Sequence, residues 1–115
     1  MPWKLTVRSG PRVAKSTHHD LGSALNALEA DARELAKSAP HRPLNAGIKR
    51  FDPADQVFAR LELSGPQRLV ANVRVGVDIR GDGSAEAYRG RLRREPLETL
   101  AGESPYAALR RVLEA

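Results

Sequence analysis

The sequence predicts an α+β fold, a two-layer sandwich in which two helices pack on one face of an antiparallel sheet. Period-2 alternation of apolar and polar residues marks an N-terminal hairpin and, later, a three-strand meander. Two apolar stripes at helical spacing flank the meander. Everything fits one domain, residues 1–115, and 41% apolar with 29% charged residues is the balance of a chain that folds around a core.

The first element is the pair of strands. Trp3, Leu5 and Val7 alternate with Lys4, Thr6 and Arg8, Ser9-Gly10-Pro11 turns the chain, and Val13 to Thr17 returns. Asp20 caps a helix whose stripe is Leu21, Ala24, Leu25, Leu28, Ala32, Leu35 and Ala36, ended by Pro40 and Pro43. Residues 44–55 read as a connector holding Ile48 and Phe51 and closed by the turn Asp52-Pro53-Ala54-Asp55. Val57 to Ser64, Leu69 to Arg80 and Ala85 to Arg93 are the meander strands, joined at Ser64-Gly65-Pro66-Gln67 and at Gly81-Asp82-Gly83-Ser84. Ser104 and Pro105 open the last helix, with the stripe Tyr106, Leu109, Val112 and Leu113.

The turns also predict registers. A three-residue loop at Gly65 to Gln67 would set Leu63 against Leu69, Leu61 against Ala71 and Ala59 against Val73. A two-residue loop at Asp82-Gly83 would set Val77 against Tyr88 and Val75 against Gly90, leaving Trp3 and Tyr88 as core residues with Tyr88 toward the helices. The opposite face then carries two rows, Phe58–Arg74–Arg91 and Arg60–Asn72–Arg93, together with Arg80 and Arg89, against only two acids, Glu62 and Asp78.

Charge alone does not assign a partner. The net +5 comes from 19 basic and 14 acidic residues, and the chain is also rich in Ala, Gly and Pro, the other residues of GC-rich coding. Placement is more informative, because an Arg-lined sheet face with an aromatic ring at its centre suits phosphates and a stacked base. The expected site is therefore Phe58, Arg60, Asn72, Arg74, Arg89, Arg91 and Arg93. The expected function is a non-enzymatic module binding RNA or DNA backbone or another polyanion. The alternative is an interaction module that docks an acidic protein or self-associates through a sheet edge.

Other chemistries are poorly served. With no cysteine there is neither thiol nucleophile nor thiolate metal site. No catalytic elbow, phosphate-cradling loop or carboxylate pair is present, so no enzyme, cofactor or metal is expected. The Asp78 to Arg89 stretch fails as a calcium loop, with Arg80 and Arg89 where oxygen ligands are required. His18 and His19 point to opposite faces of a strand, which is poor for chelation. The absence of a long apolar run or an apolar leader points to a cytoplasmic protein off the membrane.

In element order, strand, helix, three strands and helix, the chain resembles double-stranded RNA-binding domains and ribosome hibernation factors. It lacks the lysine-rich helix start of the former, having Ser104-Pro105-Tyr106-Ala107-Ala108 there, with Arg110 and Arg111 a turn later. Tyr106-Ala107-Ala108-Leu109 is similar to the last helix of the latter over those few residues. The N-terminal hairpin departs from both, and no family is assigned.

Overall fold

The computed structural model describes residues 2–39, 44–46, 49–51, 57–65, 73–90 and 94–114. The strands are β1 (Trp3–Ser9), β2 (Arg12–His18), β3 (Leu44–Ala46), β4 (Lys49–Phe51), β5 (Val57–Gly65), β6 (Val73–Arg80), β7 (Ala85–Arg89) and β8 (Glu95–Pro96). Helix α1 (Leu21–Lys37) follows β2, and α2 (Pro105–Glu114) comes last. Six strands form one antiparallel sheet in the order β2-β1-β5-β6-β7-β8, while β3 and β4 pair only with each other within the expected connector. Ile48 and the turn at 52–55 lie outside the described residues, as do Pro40 and Pro43. The predicted α+β sandwich is the observed fold.

Both helices bury their stripes against the same sheet face. Ala24, Leu25, Leu28 and Ala32 of α1 and Tyr106 and Leu109 of α2 share one core with Leu5, Ala59, Leu61, Leu63, Val75, Val77, Ile79 and Ala87. Each large aliphatic side chain there contributes about 1.5–3 kcal/mol by leaving water. The α1 cap is as expected: Asp20 Oδ1 accepts from Ser23 N–H at 2.7 Å, which holds the Asp20 carboxyl below its usual pKa. Ser104 Oγ accepts from Ala107 N–H at 3.1 Å at the start of α2. Arg110 then ties the helices together, donating to Glu29 at 2.6 Å and to Asn26 at 2.9 Å. Among the described residues, neither helix is long and apolar enough to cross a membrane.

Two registers differ from expectation, with opposite consequences. β6 begins at Val73, and Leu63 meets Val75, Leu61 meets Val77 and Ala59 meets Ile79 rather than Val73. Leu69 and Ala71, the expected partners, lie outside the described residues. The observed register sets Arg60 against Asp78, an opposite-charge pair, and places the β-branched residues of β6 on the leucine row. This slide is an even number of residues, so every side chain keeps its face.

The β6–β7 turn is different. Its loop has three residues, Gly81 to Gly83: Arg80 N–H donates to Ser84 O at 2.8 Å and Gly83 N–H to Arg80 O at 2.9 Å. Gly83 sits at φ 87°, the left-handed position that closes a three-residue loop with a bulge. Asp82 Oδ1 accepts from Ser84 N–H and Oγ at 2.9 and 2.6 Å, so this carboxylate serves the turn. The register moves by one, an odd step, and all of β7 turns over. Val77 meets Ala87, Gly76 meets Tyr88 and Val75 meets Arg89. Tyr88 therefore lies on the face away from the helices, not toward them. Strand β7 ends at Arg89 rather than Arg93, and β8 pairs with it to close that side of the sheet. Trp3 is only half-buried, on the helix face beside Gly65.

Candidate nucleic-acid interface

The sheet face away from the helices divides into two regions of different chemistry. Across β5, β6 and β7, strand parity brings charges of both signs together. Arg60 makes a two-point pair with Asp78, Nε to Oδ1 at 2.7 Å and Nη2 to Oδ2 at 3.1 Å. Asp78 is only 7% exposed, and its hydrogen-bonded carboxylate raises the pKa of Arg60 above the ordinary value. Arg74 donates to Glu62 on the diagonal, and Arg80 pairs with Glu86 at 3.2 Å.

Between the first two ion pairs lies Tyr88, 3% exposed, with its ring across Gly76. A Cβ at Gly76 would collide with the Tyr88 ring and with the Leu61 carbonyl, so glycine is what lets the ring lie flat. Burial, reinforced by the nearby Asp78 and Glu62 carboxylates, pushes the Tyr88 phenol up to about 12. Its hydroxyl has no hydrogen-bond partner among the described residues, and the Arg94 guanidinium stands 5.5 Å from the ring centroid.

The expected site residues are thus not assembled as the sequence rows propose. Arg60 and Arg74 are on the predicted face, but each is neutralised by an acid that the observed register delivers. Phe58 lies at the β5 bulge between Val57 and Ala59, half-buried against the core rather than standing free. Arg89 is on the helix face, beside Glu95, Val112 and Leu113, because β7 is turned over. Asn72, Arg91 and Arg93 lie outside the described residues.

The second region is the β1–β2 hairpin, where Lys4, Thr6 and Arg8 alternate on the far face beside Thr17, Lys15 and Val13. Lys4, Arg8 and Lys15 carry no acid beside them on either strand, and among the described residues none of them forms an ion pair. Arg12 is exposed on the opposite face of β2. A tally of acids on the meander overlooks this segment, although a running charge balance exposes it. Residues 1–19 hold four Lys or Arg and no Asp or Glu, while residues 20–115 hold fifteen against fourteen. Nearly all of the net +5 belongs to the hairpin. The chain matches no protein-family model, no curated protein and no solved structure.

Proposed function

We propose that this domain is a non-enzymatic binding module that contacts the nucleic-acid backbone through the far face of its sheet, centred on Lys4, Arg8 and Lys15. The observation that carries this reading is the charge division of that face among the described residues, paired on the meander and unpaired on the hairpin. A guanidinium already bridged to a carboxylate must give up that bond to take a phosphate, whereas an unpaired surface cation exchanges only counterions and water. Arg60 and Arg74 then act as a rigid, electrically balanced floor beside the contact surface.

The test is the salt dependence of binding to a nucleic-acid duplex. Three phosphate contacts from Lys4, Arg8 and Lys15 contribute roughly −2.7 to the slope of log affinity against log salt. Changing all three to Gln reduces the magnitude of the slope by about that amount, whereas changing Arg60 and Arg74 to Gln leaves it within about one unit of the native value. Equal losses from the two variants reject the hairpin as the centre. A second reading rests on the outer edge of β2, which among the described residues is paired on one side only and offers its backbone to an acidic extended segment. That reading expects competition by polyglutamate.

A further inference from the structure

Strand β2 is exposed at every position from Arg12 to Thr17, on both faces, and among the described residues has a neighbour on one side alone. The β1–β2 loop is two residues, Gly10 and Pro11, so Ser9 and Arg12 form the closing hydrogen-bonded pair. Antiparallel alternation then assigns Ala14 and Ser16 to the ladder with β1, and turns the N–H and C=O groups of Val13, Lys15 and Thr17 outward. Among the described residues, the outer edge is therefore a row of unused donors and acceptors. Its flanks are slim, with Val13 and Thr17 on one face and Ala14 and Ser16 on the other. Two side chains stand out from this thin blade, Lys15 on the far face and Arg12 on the helix face.

Resting on the backbone-contact reading above, we propose that β2 enters the major groove of B-form DNA edge-first. A sheet with its side chains is about 10 Å thick and the B-DNA major groove is about 12 Å wide. A strand with short residues on both flanks fits between the phosphate rails. Lys15, supported by Lys4 and Arg8, meets one rail, and Arg12 meets the other. The outward backbone groups of Val13, Lys15 and Thr17 reach base edges. The exposed Val13 side chain, 48% accessible, is placed for apolar contact with a base methyl. A self-paired edge is a poorer occupant, because it sets two acid-free hairpins of four cations against each other. A-form RNA is excluded by shape, since its major groove is deep and too narrow for side chains to read.

The experiment compares, by fluorescence anisotropy, a mixed-sequence DNA duplex about two helical turns long, the RNA duplex of the same sequence, and one DNA strand. The DNA duplex is expected to bind about tenfold more tightly than the RNA duplex. Ala14→Leu combined with Ser16→Leu thickens the blade without changing charge, at exposed positions where circular dichroism should show an intact fold. It should lower DNA-duplex affinity about tenfold while leaving single-strand affinity unchanged. Arg12→Gln and Lys15→Gln should each reduce the DNA-duplex salt slope by about 0.9. Equal affinity for the two duplexes, or a thickened strand that binds DNA as well as the native one, overturns groove entry while backbone contact stands. Absence of binding to all three nucleic acids overturns both readings, and capture of polyglutamate in that case assigns the edge to an acidic polypeptide.

Discussion

The hairpin and the meander are neighbours in one sheet, yet they handle charge in opposite ways. On the described part of the meander, each of the three far-face arginines Arg60, Arg74 and Arg80 has a carboxylate, and Asp78 and Tyr88 among them are buried. On the hairpin, the cations have no carboxylate on either strand and β2 is open to solvent along nearly its whole length. The meander uses its charges to hold itself together. The hairpin keeps its place through the β1–β5 ladder and through Leu5, fully buried in the core, and its charges form no ion pair among the described residues. Counting arginines on a face therefore says less about a partner than asking which of them are already satisfied.

The comparison breaks most visibly under a buried carboxylate. Val77→Asp puts an unpaired acid into the core, at a cost of several kcal/mol, and should abolish the cooperative thermal transition. Ser16→Asp, on the exposed hairpin strand, should shift stability by no more than about 0.5 kcal/mol. If both variants unfold, the hairpin strand is held by the core as firmly as the meander is, and the division fails. A smaller effect separates paired from unpaired cations. Asp78→Ala leaves Arg60, a partly buried guanidinium, without its partner and should cost about 1–3 kcal/mol in denaturant unfolding. Arg8→Gln should cost nothing measurable, and it relieves the direct opposition of Arg8 and Arg60 across β1 and β5.

Much of this is legible in the sequence, and the exceptions have a common physical origin. Alternation identifies the sheet's buried face on β1, β5 and β6 because each carries large apolar residues at one parity. The expected β5–β6 register differs from the observed one without consequence for the faces, since an even slide preserves parity. For β7 the difference has a consequence. Its apolar helix-face residues, Ala85 and Ala87, are small, while its far-face Tyr88 is large and mostly apolar. Hydrophobic weight thus points Tyr88 inward, and Gly81-Asp82-Gly83-Ser84 suits a two-residue or a three-residue loop equally well. The decisive signal is the glycine at 76, an absence of side chain that makes room for a ring on the opposite strand.

The smallest expected effect is a titration. Folding raises the Tyr88 phenol from 10.0 to about 12, so the neutral form is the one the folded state favours. Its stabilising contribution is complete below pH 10 and is lost as pH rises through about 12. Unfolding free energy should fall across that window, and absorbance of the tyrosinate should appear late. Tyr88→Phe should remove part of the slope, leaving the share due to Tyr106, which burial also raises. At neutral pH the same variant should be as stable as the native protein or more so, because it deletes a buried hydroxyl that has no partner among the described residues. A stability loss above about 1 kcal/mol would show that this hydroxyl is hydrogen-bonded in solution.

The seam between β1 and β5 also governs how quickly the two regions become one. Its partners, from Lys4 with Ser64 to Ser9 with Ala59, are roughly fifty to sixty residues apart in the chain. The hairpin and α1 are made before β5 during synthesis, so the strand that anchors them arrives only after many further residues have followed. Until then Leu5 and Val7 have no leucine row to pair with. Closing so large a loop before any long-range contact compensates for it is a slow step, so the folding rate should depend on mutations at the seam more than on those at either turn.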